Sequence, residues 1–313
     1  MPLVLVTGGA GFIGSHLVQA LVRRGDQVRV LDNFCTGKRE NLAPMLSQIE
    51  LIEADLNDAA AVGKAVAGCE VVFHEAALAS VPLSVEQPLA THAACATGTL
   101  NVLDQARRAG VKRLVYAASS SAYGNQPTPR KTETDLPSVL SPYGAAKLTG
   151  ELYCQAFWHS YGLQTVCLRY FNVFGPRQDP NGPYAAVIPL FIRSILKGQR
   201  PTIYGDGLQT RDFTYIENVV QANLKAAAAP ASAAGRVFNV GNGQAASLLD
   251  LLNTLNEIMG GKIEPIFAAP RAGDVRDSLA DIGQARKILG YEPAVDLPTG
   301  LRPTVDYYRT AGF

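Results

Sequence analysis

The chain has 313 residues, 47% of them hydrophobic and 18% charged, and its 28 basic and 27 acidic side chains leave a formal charge of +1. That length supports one large core or two closely packed ones, and a near-neutral chain without a basic run argues against nucleic-acid and membrane-surface binding. The five cysteines (Cys35, Cys69, Cys95, Cys154, Cys167) include no CxxC, and His16, His74, His92 and His159 form no ligand cluster, so no metal site and a soluble, reduced, cytoplasmic setting are expected.

Residues 1–13 are apolar but lack a basic leader and run into glycines, which reads as a first strand rather than a signal peptide. Leu3 to Val6 is that strand, followed at once by Thr7-Gly8-Gly9-Ala10-Gly11-Phe12-Ile13-Gly14. Ile13, Leu17 and Leu21, with Val18 beside them, then repeat at helical spacing up to Arg24-Gly25, a basic last turn and a glycine stop. Val28 to Leu31 is a second strand, ending in Asp32. In this βαβ unit Gly8 allows the tight turn, Gly11 lets the backbone approach a pyrophosphate, and Gly14 lets the helix pack on the strand. Asp32, at the tip of the second strand, can accept both ribose hydroxyls and would repel a 2′-phosphate, so the expected cofactor is NAD rather than NADP.

Further strands are expected at Ile49 to Ala54, Val71 to Phe73, Leu114 to Ala118 and Thr165 to Leu168, separated by helices near 58–68, 88–109 and 143–161. The alternation predicts an α/β fold, a doubly wound parallel sheet covered on both faces. Ligands in such sheets bind beyond the carboxyl ends of the strands, where Ser119 and Asn172 fall. His74 reads as a packed core histidine. After Gly175-Pro176 the rhythm changes, with a helix at Val187 to Leu196, a short strand and turn at 202–207, a helix from Ile216 to Ala229 and a strand at Val237 to Val240. An amphipathic helix over Leu248 to Met259 is capped by Ser247, and the final helices follow the polar stretch Arg271 to Arg276. The chain thus divides into a dinucleotide-binding domain (1–173 and 211–242) and a smaller, discontinuous α/β lobe (174–210 and 243–313) for the substrate.

The residues with the clearest chemistry lie between Ser119 and Lys147. Pro142 can open a helix, which puts Tyr143 and Lys147 on one face. An ammonium beside a phenol favours the phenolate, so the pKa of Tyr143 is expected to fall and the side chain to accept a proton from a hydroxyl near neutral pH. Ser119, at the end of its strand, can hydrogen-bond that same hydroxyl or the carbonyl it becomes.

Ser119, Tyr143 and Lys147, behind the glycine-rich start, resemble the short-chain dehydrogenase/reductase family, and over essentially the whole chain its extended branch of nucleotide-sugar epimerases and dehydratases. The resemblance implies that Tyr143 is the base, with Lys147 its partner at the nicotinamide ribose and Ser119 the third catalytic group. It implies cofactor contacts from Gly8, Gly11, Phe12, Ile13, Gly14, Asp32, Asn33, Thr36 and Gly37. Asp55 and Leu56 fall against the adenine, and Ala76, Ala77, Tyr143, Lys147, Tyr170 and Val173 complete the cofactor set. On the substrate side it implies Ser120, Ser121 and Asn172, Val187 and Tyr204 at the uracil, Arg211 and Arg271 on the diphosphate, and Ser278 at the sugar. Related 4,6-dehydratases carry Asp-Glu where this chain has Ser120-Ser121, and related decarboxylases carry a glutamate at the second position, so neither elimination is expected. Cys95 stands where the family has an asparagine, and it reads as a small buried hydrophobe rather than a nucleophile. Ser278, where some members have a tyrosine, leaves room for an acetamido group. The implied activity is NAD-dependent inversion of carbon 4 of a UDP-hexose through a transient 4-keto sugar, most closely UDP-N-acetylglucosamine/UDP-N-acetylgalactosamine. Alternatives are UDP-glucuronate/UDP-galacturonate epimerisation and net dehydrogenation of a nucleotide sugar. The implied assembly is a homodimer through a four-helix bundle.

Overall fold

The structure is a computed structural model that describes residues 2–181, 185–270 and 275–312. At its centre lie seven strands: β1 (Leu3–Thr7), β2 (Gln27–Asp32), β3 (Ile49–Glu53), β4 (Val71–His74), β5 (Arg113–Ser119), β6 (Gln164–Tyr170) and β7 (Arg236–Val240). They are ordered β7-β6-β5-β4-β1-β2-β3, every neighbouring pair parallel. The order reverses at β1, so the crevice beyond the carboxyl ends of β1 and β4 is the switch point where such sheets bind ligands.

Both faces of the sheet are buried, and the side-chain period of two shows why. Along β5, Leu114, Tyr116 and Ala118 pack into one core cluster, while Val115 and Ala117 pack into the other. In β1, Leu5 faces the first of these clusters and Val4 and Val6 the second. Burying each such valine or leucine contributes roughly 1.5–3 kcal/mol. Helices cover the faces: α1 (Phe12–Arg24), α2 (Ala59–Val66), α3 (Gly98–Arg108), α4 (Pro142–Tyr161), α5 (Val187–Leu196), α6 (Ile216–Ala228), α7 (Leu248–Met259) and α8 (Leu297–Ala311). Leu17 and Leu21 of α1 and Val219 of α6 fill one side; Val62, Val102 and Phe157 of α2, α3 and α4 fill the other. Among these described helices none is long and apolar enough to cross a membrane.

The helix boundaries follow local chemistry. Helix α1 stops at Gly25 with φ of 89°, a left-handed cap that glycine adopts without strain. Helix α4 starts at Pro142, with Ser141 Oγ accepting from the Gly144 amide at 3.1 Å. Helix α7 has a full capping box between Ser247 and Asp250. One expectation needs correction: residues 88–109 are not a single helix but a short helix (Pro88–His92), a π turn (Ala93–Thr97) and then α3.

Beyond the large sheet, Thr210–Arg211 lies between Ala246–Ser247 and Asp277–Ala280, and Asp277–Ala280 pairs in turn with Arg130–Lys131. The small sheet therefore takes one strand from the loop that follows β5. Asp212 ties the two sheets together, its carboxylate accepting from the amides of Asn242, Gly243 and Ala280 at 2.6, 3.0 and 3.1 Å.

Candidate active site

The carboxyl ends of the strands open onto one cavity of about 920 Å³. At its floor the turn after β1 is packed too closely for side chains. A Cβ on Gly14 would fall 2.1 Å from the Gly8 carbonyl oxygen, and one on Gly8, whose φ is +69°, would fall 2.6 Å from Ala76 Cα. The turn therefore holds the start of α1 tight against β1 and β4, and the first residues of α1, at the positive end of its macrodipole, line the cavity. Asp32 closes one end, its carboxylate accepting from the Ala10 amide at 2.9 Å and the Phe34 amide at 2.8 Å. Burial raises its pKa, against the pull of those two amides. A carboxylate has about four acceptor sites, which leaves room for two ribose hydroxyls. This glycine cradle and its terminal acid fit a dinucleotide, as the sequence predicts.

The opposite stretch of the cavity holds the serine and the tyrosine. Strand β5 delivers Ser119, and the first turn of α4 delivers Tyr143, both to the wall of this cavity. Ser119 Oγ also accepts from the Ser121 amide at 3.1 Å and the Ser121 hydroxyl at 2.8 Å. Lys147, one turn on from Tyr143, lies beneath them, almost fully buried. Its ammonium donates to the Ala117 carbonyl at 2.8 Å and sits 5.0 Å from the Tyr116 ring centroid.

The expected fall in the Tyr143 pKa is not what this arrangement produces. Burial pushes the phenol well above its ordinary value of 10, the Cys95 and Glu75 side chains add to the rise, and the Ser119 side chain only partly opposes it. The same burial lowers Lys147. Desolvation of the phenolate outweighs a lysine whose ammonium is engaged by a carbonyl.

Of the residues read from the sequence, Gly8, Gly11, Phe12, Ile13, Gly14, Asp32, Asn33, Thr36, Gly37, Asp55, Leu56, Ala76 and Ala77 all line this cavity. So do Ser119, Ser120, Ser121, Tyr143, Tyr170, Asn172, Val173, Arg211 and Ser278. Val187 and Tyr204 line an adjoining cavity of about 470 Å³, which shares Asn172, Val173 and Arg211 with the first. Lys147 is behind the wall rather than in it, and Arg271 lies outside the described residues. Arg211 stands directly across from Ser278 in the small sheet, so these two enter the cavity side by side. Cys95 is fully buried in the π turn and packs near Tyr143.

The structure adds residues that the sequence reading passed over. Glu75, the first residue after β4, lines the cavity with its carboxyl bonded to Tyr170. Its place at the exit of a buried parallel strand is legible in the sequence, but its pairing with Tyr170, 95 residues away, is not. Arg177 also lines the cavity, donating to Ser15 Oγ at 3.3 Å and Gln19 Oε1 at 2.9 Å on α1, from a backbone with φ of +67°. Nothing local in Gly-Pro-Arg-Gln announces that contact across the fold.

Comparison with known proteins places these features in a family. Residues 4–241 match the NAD dependent epimerase/dehydratase family. The chain is 39% identical over 309 residues to a UDP-glucose 4-epimerase of Mycolicibacterium smegmatis, covering 97% of this chain and 98% of that one. Among solved structures it resembles a UDP-N-acetylglucosamine 4-epimerase of Methanobrevibacter ruminantium in complex with UDP-N-acetylmuramic acid, at 40% identity and a TM-score of 0.95 over 99% of both chains. It likewise resembles a UDP-glucose 4-epimerase of Thermus thermophilus in complex with NAD, at 38% identity and a TM-score of 0.90 over 99% of both chains.

Proposed function

The chain belongs to the NAD dependent epimerase/dehydratase family, and we propose that within it this protein is a UDP-sugar 4-epimerase whose preferred pair is UDP-N-acetylglucosamine and UDP-N-acetylgalactosamine. The observation that carries the reading is one cavity lined by a dinucleotide cradle, by Ser119 and Tyr143, and by Ser278. NAD, when bound, supplies the oxidising and reducing equivalents. The protein's own task is to hold the sugar and move one proton.

Tyr143 takes the proton of the carbon-4 hydroxyl, with Ser119 in the same cavity wall and able to hold the same oxygen as it becomes a carbonyl. Lys147 backs the pair from the Ala117 carbonyl. Ser120 and Ser121 stand where an elimination needs carboxyl groups, so the 4-keto sugar is returned rather than dehydrated. Arg211 meets the diphosphate as a guanidinium fork, a role shared with Arg271, and the adjoining cavity with Val187 and Tyr204 takes the uracil. Asn172, on the boundary of both cavities, lies along the diphosphate path. In this reading residues 1–173 and 211–242 hold NAD and residues 174–210 and 243–313 hold the nucleotide sugar.

Ser278 supports the choice among sugars, because a small side chain in that wall leaves room beside carbon 2. In the Ser278→Tyr variant we expect turnover of the N-acetylated pair to fall at least about tenfold while UDP-galactose turnover is retained. Equal loss of both substrate classes removes the support for this preference. The activity itself is tested with a panel of UDP-hexoses and UDP-uronates on the purified protein. Interconversion without net accumulation of reduced cofactor is the expected result, and stoichiometric release of reduced cofactor identifies a dehydrogenase instead. The assembly belongs to the same reading: a homodimer, formed where α4 and the helices Val81–Glu86 and Pro88–His92 present Leu152, Val85 and Leu89, which are 58%, 65% and 83% exposed.

A further inference from the structure

One carboxyl at the reacting end of the cavity has no part in the steps above. Glu75 lines the cavity beside Ser119, Tyr143 and Tyr170. The Tyr170 hydroxyl donates to Glu75 Oε1 at 2.9 Å, and Asn223 Nδ2, on α6, donates to that hydroxyl at 2.8 Å. The donors therefore run one way, from Asn223 through Tyr170, and Glu75 is the terminal acceptor. Its backbone is held by the Thr7 carbonyl, which accepts from the Glu75 amide at 3.2 Å. The titratable groups that meet it among the described residues are Lys147 and Tyr143 from α4 and Tyr170 from β6. Burial pushes its pKa from 4.5 up to about 7, although the Tyr170 hydrogen bond and the Lys147 charge pull it down.

We propose that the Glu75 carboxyl sets the oxidation balance of the bound cofactor, its negative charge favouring the positively charged oxidised nicotinamide over the neutral reduced one. The inference rests on reading the Ser119–Tyr143 end as the reacting end. Its physical content is a linkage. A carboxylate that stabilises the oxidised ring has a lower pKa beside that ring and a higher one beside the reduced ring. Reduction of the nicotinamide consumes two electrons and one proton. Between the two carboxyl pKa values it also drives uptake of one proton by Glu75. At a fixed potential the oxidised-to-reduced ratio then rises about a hundredfold per pH unit instead of tenfold. For a two-electron couple these are slopes of about 60 and about 30 mV per pH unit.

The test is the midpoint potential of the cofactor in the holoenzyme, read from the absorbance of the reduced nicotinamide against a mediator couple, on both sides of neutral pH. The wild type is expected to show a slope clearly steeper than about 30 mV per pH unit, approaching about 60. Glu75→Gln keeps an acceptor for Tyr170 and should show about 30 throughout, with an oxidised-to-reduced ratio about tenfold below wild type on the alkaline side. A wild-type slope of about 30 mV overturns the proposal whether or not the variant folds. A steep slope that survives in Glu75→Gln overturns it too, because the extra proton then sits elsewhere. A wild type that holds no dinucleotide sinks the functional reading and this proposal together, whereas one that holds it with the shallow slope sinks the proposal alone.

Discussion

At the scale of single residues, the site pairs a buried phenol with a buried amine, and burial dominates both. Tyr143 is held protonated by desolvation, and Lys147 spends its ammonium on the Ala117 carbonyl. The chain alone therefore does not make the phenolate. Tyr143→Phe removes the acceptor and keeps the ring, so we expect epimerisation to drop by roughly two orders of magnitude or more while the cofactor stays bound. Turnover near that of the wild type would show that another group takes the proton.

At the scale of elements, α4 decides where that phenol sits. It lies so close to β5 that a Cβ on Gly150 would fall 2.2 Å from the Tyr116 hydroxyl oxygen. One residue further, Glu151 and Arg169 of β6 form a buried pair through two bonds, at 2.9 and 2.7 Å. Gly150→Ala is expected to lift α4 from the sheet, cost about 1–3 kcal/mol and lower both the melting temperature and the turnover number. Unchanged melting and turnover would mean that the helix has slack. How far such elements could be read in advance depended on whether their cause was local. Pro142 marks the start of α4 in sequence, and the Gly8–Gly14 turn with Asp32 marks the cofactor end. The break at Ala93–Thr97 was invisible because Ala-Ala-Cys-Ala-Thr contains no helix breaker. Glu75 and Arg177 were missed for a different reason. Their partners, Tyr170 and Gln19, lie 95 and 158 residues away, and no local pattern records such a pairing. The Tyr143 pKa was misjudged because spacing shows that a lysine is near but not what its ammonium faces.

At the scale of the whole molecule, α4 and the helices at 81–92 leave an apolar surface open, with Leu89, Val85 and Leu152 the most exposed of its large side chains. A second copy covering it would take that apolar area out of water. Leu89→Glu with Leu152→Glu is expected to shift the protein from dimer to monomer in light scattering at micromolar concentration, and a wild type that is already monomeric rejects the dimer. The way the small sheet is assembled has a further consequence, for the order in which the molecule is built. Strands β1 to β6 and the Ser119–Tyr143 pair are complete once residue 170 has been made, and β7 adds itself to their edge. The small sheet waits for Asp277–Ala280, whose pairing with Arg130–Lys131 spans about half the chain. Closing so long a loop comes late, since its entropy must be lost before its contacts form. During synthesis the glycine turn and the large sheet therefore mature first, and the small sheet that carries Ser278 is hung last, on a scaffold already in place.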